Sequence, residues 1–160
     1  MTIAFKADPS AGLFRSAINA LVNTGSNPEA TFKLLSDEVQ QGRERTAAAQ
    51  AMLRLPRTAW KEDAARGAII SLMEWARHIP AADRTSQDFL EATQATSELA
   101  GALPGDQSVA IRKSLRELSV SVFVVKTVQE QMRYNTARLV VEAGKPFEVI
   151  FENADVMPHN

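Results

Sequence analysis

The chain contains no cysteine among its 160 residues, and it has only two histidines, His78 and His159. The absence of cysteine excludes disulfides, cysteine-ligated zinc and thiol catalysis within this stretch. No nucleophile–base–acid set is visible, and two histidines leave little room for one. We therefore expect no catalytic residues here and do not expect these residues to form an enzyme by themselves.

The chain also lacks a charge surplus and a long apolar run. Its formal net charge is −1 and its pI is near 6.1, so no basic excess favours nucleic acid or an anionic membrane. The longest apolar candidate, Val120–Val125, has the length of a strand, whereas a membrane span needs roughly 18 residues. The first residues show no basic start followed by an apolar core, so no secretory signal is recognised. We expect a globular protein with no nucleic-acid partner and no membrane span.

Residues 1–118 have the pattern of successive amphipathic helices, because apolar residues recur at steps of three and four. Three of these helices end in an apolar residue followed by proline, which disfavours helical backbone in the residue before it. The three prolines are evenly spaced by 24 residues, at Pro56, Pro80 and Pro104. Short amphipathic helices bury their apolar stripes by stacking. This region is predicted to be a HEAT-like α-solenoid, with a plain helical bundle as the alternative.

Residues 119–160 change to the pattern of β-strands, so a second region is predicted to begin directly after residue 118. Three strands are expected, over residues 119–125, Arg138–Glu142 and 147–152. A turn at Gly144 separates the last two strands. Alternation in the third strand assigns Phe147 and Phe151 to the face that a sandwich buries.

Two motifs accompany these strands: Met132-Arg133-Tyr134-Asn135 precedes the second strand, and Asn153–Asn160 follows the third. Together with the Gly144-Lys145-Pro146 turn, this succession resembles the first half of an azurin- or plastocyanin-like cupredoxin. The resemblance covers residues 119–160 and implies part of an all-β Greek-key sandwich. It also implies that His159 is a copper ligand and that Asn160 ties the ligand loops together. The alternative is an ordinary immunoglobulin-like hairpin in which His159 is a solvated loop residue.

The copper centre of such a domain is type 1, with two imidazoles, one thiolate and a weak axial thioether. His159 is the one candidate ligand in this chain, so the resemblance implies a fragment whose remaining Cys, His and Met ligands are encoded beyond residue 160. Half a sandwich would leave Phe147, Val149 and Phe151 without an opposing sheet. We therefore expect the chain to self-associate through this part.

A helical region that leads directly into an azurin-like domain is similar to the C-terminal part of large secreted bacterial dehydrogenase-like multidomain proteins. That resemblance implies electron transfer, with copper on a helical scaffold relaying electrons for a larger redox protein in the periplasm or outside the cell. The implied partner is a redox protein or domain, such as a c-type haem domain or a dehydrogenase module. Two alternatives stay open: a helical-repeat interaction scaffold with a metal-free β-sandwich appendage, and a metal-free adhesion-like β-sandwich.

Two other features have ordinary structural interpretations. His78 is expected to end a helix, where a cation interacts favourably with the helix dipole. Arg43, Arg45, Arg54 and Arg57 are expected to form a solvated basic face, because no glycine-rich anion-binding loop accompanies them.

Overall fold

A computed structural model describes residues 9–128 and 133–153 of the chain. These residues form six α-helices followed by two β-strands, which confirms the mainly helical fold class. The helices are α1 (Pro9–Thr24), α2 (Pro28–Gln41), α3 (Arg45–Leu53), α4 (Glu62–His78), α5 (Gln87–Leu99) and α6 (Gly105–Leu118). The strands are β1 (Ser121–Lys126) and β2 (Phe147–Glu152).

Helix α2 has its two ends fixed by local chemistry. The Asn27 side chain accepts a hydrogen bond from the Ala30 amide at 3.1 Å, and Pro28 occupies the first helical position, where its missing amide hydrogen costs nothing. Gly42 ends the helix with φ at +78°, a left-handed backbone that glycine adopts without a steric penalty. Both signals are readable in the sequence.

Each of the three regularly spaced prolines begins a new helical turn. Pro56 and Pro80 have extended backbones and each precedes one turn of 3-10 helix. Pro104, with ψ at 148°, directly precedes Gly105, the first residue of α6. The sequence pattern predicts Asp106 as the cap of this helix, but Asp106 lies within the first turn of α6, so that prediction is wrong. Pro104, two residues earlier, occupies the capping position because it already has the extended backbone that a cap requires.

The helices pack so that alternate ones touch. Helix α3 lies against α1 and α5, while α4 lies against α2 and α6; α2–α3 and α4–α5 contacts join the two sets. Eighteen buried residues form one cluster, all in the helical region, and eight of them are alanines that allow close approach of helix backbones. The large apolar side chains with almost no exposed surface are Phe32, Leu35, Val39, Met52, Ile69, Leu72 and Leu99. The helices thus share a continuous core.

The two strands pair in parallel, with Ser121 opposite Phe147 and Lys126 opposite Glu152. Parallel neighbours cannot be joined by a tight hairpin and need a long crossover connection, here residues 127–146. A turn closed by the Lys145 amide and the Glu142 carbonyl lies within this connection. Gly144 has φ at +78° in that turn, as the sequence predicts.

The expectation of a second strand over Arg138–Glu142 is wrong for this structure. These residues are not in a strand, and Leu139, Val140 and Val141 are exposed. A strand is stabilised by hydrogen bonds to a neighbouring strand, and within residues 9–128 and 133–153 neither β1 nor β2 pairs with residues 139–141.

The sheet joins the helical region at the end of α6. Arg84 donates hydrogen bonds to the Ile79 carbonyl at 2.9 Å and to the Leu118 carbonyl at 3.4 Å, which anchors the last turn of α6. Only two residues separate α6 from β1. Of the helices in the described ranges, none is long and apolar enough to cross a membrane.

Candidate functional site

The predicted copper ligand His159 and its neighbour Asn160 lie outside the described residues, as does Met132 of the upstream motif. The structure does describe the residues that lead to them. Strand β2 ends at Glu152, and Asn153 is the first residue of the motif that continues to Asn160. The site is therefore defined by the carboxyl end of the β1–β2 pair.

At this end of the sheet, β1 lies between two segments, the end of β2 on one side and residues 134–135 on the other. On one side, the Thr127 amide donates to the Glu152 carbonyl at 3.1 Å, and the Thr127 hydroxyl donates to the Asn153 Oδ1 at 3.1 Å. These bonds hold the exit from β2 against the exit from β1. Asn153 is thus fixed at the point where the motif begins.

On the other side of β1 lie Tyr134 and Asn135 of the upstream motif. The Asn135 amide donates to the Lys126 carbonyl at 2.8 Å, and its Oδ1 accepts from the Lys126 amide at 2.9 Å. Thr127 and Tyr134 form an antiparallel bridge, and the Tyr134 ring meets the Phe151 ring edge-on at 6.1 Å. The described residues of the two motifs, Tyr134 and Asn135 of one and Asn153 of the other, therefore meet at one end of the sheet.

A hollow of about 300 Å³ opens between these segments. It is lined by Thr127, Tyr134, Phe151, Glu152 and Asn153. Its polar groups are a hydroxyl, a phenol, an amide and one carboxylate, and the carboxylate is already paired with Lys126 at 2.7 Å. Over residues 9–128 and 133–153, no three His, Asp or Glu side chains lie close enough together to hold a metal ion.

One face of the sheet is apolar and largely uncovered. Registered residues of parallel strands share a face, so Phe123, Val125, Phe147, Val149 and Phe151 lie together. Phe123 and Phe147 meet edge-on at 6.4 Å. Val125 is buried, but Phe147 is 50% exposed and Phe151 is 68% exposed. Within residues 9–128 and 133–153, no further layer covers these two phenylalanines, and the structure shows a two-stranded sheet rather than a sandwich.

His78 has the structural position predicted for it. It is the last residue of α4, it is exposed, and its Nδ1 lies 2.7 Å from the Glu74 carbonyl oxygen. A histidine held in this way by its own helix is accounted for without a metal. It is also in a different region of the chain from the β pair.

Three of the four arginines around α3, Arg43, Arg54 and Arg57, have hydrogen-bond or ion-pair partners. Arg43 makes two hydrogen bonds to Glu38, at 2.9 and 3.1 Å. Arg57 pairs with Glu98 at 3.1 Å and stacks on Trp60, with 4.0 Å from the guanidinium carbon to the ring centroid. Arg54 donates to two asparagine side chains of α1, and Arg45 lies over the Trp75 ring. These partners favour a structural role over an anion site.

Arg15 and Glu44 form a neighbouring ion pair. The Glu44 carboxylate accepts a hydrogen bond from Arg15 at 2.5 Å, and this bond, together with the charge attraction, raises the pKa of the Arg15 guanidinium. An arginine is already fully protonated at neutral pH, so the shift changes no charge under ordinary conditions.

The sequence patterns did not predict a second surface, a groove between two helices. A groove runs between α5 and α6 and reaches the sheet, and exposed Leu90 and Val109 lie along it. Both are apolar residues that lie off the buried stripes of their helices. Such positions are the signal that could have indicated the groove.

Comparison with known proteins identifies no relative. No protein-family model, no curated protein and no solved structure matches the chain. The assignment of a function therefore depends on the residues and on the geometry described above.

Proposed function

We propose that this chain is part of an electron-transfer protein in which a helical scaffold carries a type 1 copper domain of the cupredoxin kind. His159 is the copper ligand that this chain contributes, and Asn160 ties the ligand-bearing loops together. A redox protein or domain, such as a c-type haem domain or a dehydrogenase module, is the partner. The working compartment is the periplasm or the extracellular space.

The observation that supports this proposal is the meeting of the two motifs at one end of the parallel pair. Tyr134 and Asn135 lie on one side of β1, and Asn153 lies on the other, directly before the segment that contains His159. Loops mounted on a rigid sheet are common positions for metal ligands. The parallel pairing also favours a sandwich, because the crossover from β1 to β2 must leave the plane of this pair.

The donors within residues 1–160 do not complete a type 1 copper site. A thiolate is required, and the chain has no cysteine; the other imidazole, His78, ends a helix in the other region. The proposal therefore needs donors from further residues of the same domain, and we derive no electron-transfer step from these residues alone.

The decisive experiment uses the coding sequence that follows codon 160. The proposal expects a Cys followed closely by a His and a Met, and it expects the longer protein to turn intensely blue with Cu(II). His159→Ala should abolish or strongly shift that absorption, Asn160→Ser should shift it less, and His78→Ala is the matched control that should leave it unchanged. An unchanged spectrum in the His159 variant, or a longer reading frame without these ligands, would rule the proposal out.

A second candidate function is a helical-repeat scaffold for protein interactions with a metal-free β-sandwich appendage. Its support is the pattern in which alternate helices touch, which is the contact pattern of stacked helical pairs, and the even spacing of the prolines. Isothermal titration with Cu(II) separates the two candidates in the longer protein. The scaffold candidate expects no stoichiometric binding that depends on His159.

A further inference from the structure

The groove between α5 and α6 is lined by side chains of both helices. Leu90, Thr93 and Ser97 line one wall, and Val109, Arg112 and Leu115 line the other, around about 530 Å³ of space. From Leu90 to Ser97 the wall runs for about 10 Å, at 1.5 Å per residue. A second hollow of about 420 Å³ shares Leu90, Thr93, Leu115 and Ser119 with the first and extends it to the sheet.

The floor of the groove is apolar and its neighbours do not cover it. Leu90 is 55% exposed and Val109 is 63% exposed, while Leu115 is half-buried and packs against the helical core. Exposed apolar side chains that line a concave surface with a polar rim mark interaction sites more often than scattered ones do.

The rim along α6 is basic. Arg112 and Arg116 are four residues apart, so they project from the same side of the helix, and both are exposed. Arg112 donates to the Ser97 carbonyl at 3.3 Å, and neither arginine forms an ion pair with a carboxylate of the described residues. Of the residues that the structure describes, no acidic one lines this part of the groove; Glu148 lines the extension at the sheet.

We infer that this groove binds an acidic amphipathic helix of a partner protein. The apolar floor accepts one stripe of that helix, and Arg112 and Arg116 pair with acidic residues beside the stripe. A helix fits better than an extended strand, because the backbone groups of α5 and α6 are already hydrogen-bonded within each helix and offer no edge to a strand. The inference goes beyond the proposed function, since it involves no copper ligand.

The test uses the full 160-residue chain and two fluorescent helical peptides of about 16 residues. One peptide has leucines at steps of three and four, flanked by glutamates; in the other, every glutamate is replaced by lysine. Fluorescence anisotropy should show binding of the acidic peptide and at least tenfold weaker binding of the basic one, about 1.4 kcal/mol. Equal affinities, or no binding of the acidic peptide, would overturn the inference.

Variants locate the binding surface. The double variant Arg112→Glu, Arg116→Glu should weaken the acidic peptide about tenfold and strengthen the basic one, because the rim charge is reversed. Lys113→Glu is the control, since it reverses one positive charge on α6 outside the groove lining and should leave both affinities nearly unchanged. Val109→Asp should also weaken the acidic peptide.

A second copy of the chain is the competing occupant. If the groove were the contact of a homodimer, Val109→Asp would convert dimers to monomers in sedimentation, and the acidic peptide would bind only as the dimer dissociates. That result would overturn the inference. It would be distinct from failure of the copper proposal, which is measured by absorption and depends on His159.

Discussion

The helical and β regions of this chain differ in how much of their apolar surface they bury themselves. The helical region encloses eighteen buried residues in one cluster. The described part of the β region has Val125 as its buried apolar residue, while Phe147, Ile150 and Phe151 are exposed. Apolar burial is the main favourable term in folding, so the helices should be stable by themselves and the strands should depend on a further layer.

The largest expected difference is in the free energy of unfolding of two phenylalanine-to-alanine variants, one in each region. Phe32 is fully buried and stacks with Trp60, so Phe32→Ala should lower the free energy of unfolding by about 3–5 kcal/mol. Phe151 is 68% exposed, so Phe151→Ala should cost less than about 1 kcal/mol. Urea denaturation followed by circular dichroism measures both. Equal losses would contradict the contrast between the regions.

The second prediction concerns self-association through the apolar face of the sheet. The double variant Phe147→Lys, Phe151→Lys should weaken self-association of the chain at least tenfold, because two exposed aromatic rings are replaced by charges. Leu13→Lys is the control, since Leu13 is 75% exposed on α1. Sedimentation equilibrium compares the three proteins. A wild-type chain that is monomeric at all concentrations would show that this face does not mediate self-association.

Local signals made most of the helical region predictable from sequence. Asn27-Pro28 and Gly42 fixed the ends of α2, and the apolar–proline pairs predicted the breaks between later helices. The strand Arg138–Glu142 was predicted from composition and is absent, because a strand also needs a neighbour that composition does not specify. The parallel partner of β1 was likewise not predictable, since pairing across residues 127–146 is a tertiary contact.

The candidate site was predictable only in part, for the same reason. Sequence order identified Tyr134-Asn135 and Asn153 as parts of one pattern, but their meeting around Lys126 and Thr127 depends on the crossover. The groove between α5 and α6 was missed, because apolar residues off a buried stripe, such as Leu90 and Val109, indicate an exposed apolar surface but not which helices come together to form it. Residues outside a helix's buried stripe become informative when their neighbours in space are known.

A smaller effect is expected from the cap of α2, which tests whether local signals in the helical region contribute to its stability. Asn27→Ala removes the 3.1 Å hydrogen bond to the Ala30 amide and should cost about 1 kcal/mol. Asn27→Asp keeps an acceptor at the same position and should retain most of the stability. Thermal unfolding of both variants measures the difference. Identical stability of all three proteins would mean that packing alone fixes the start of this helix.

The smallest expected effect comes from the surface ion pairs, which both regions contain. Lys126 and Glu152 pair at 2.7 Å across the sheet, and Arg57 and Glu98 pair at 3.1 Å between helices, with every side chain about half exposed or more. Glu152→Gln and Glu98→Gln should each cost about 0.5 kcal/mol or less, and added salt should reduce both costs. Amide hydrogen exchange in β1 measures the effect of Glu152→Gln, and urea denaturation measures the effect of Glu98→Gln. A larger loss for Glu152→Gln than for Glu98→Gln would mean that the sheet depends on its ion pair more than the helices depend on theirs.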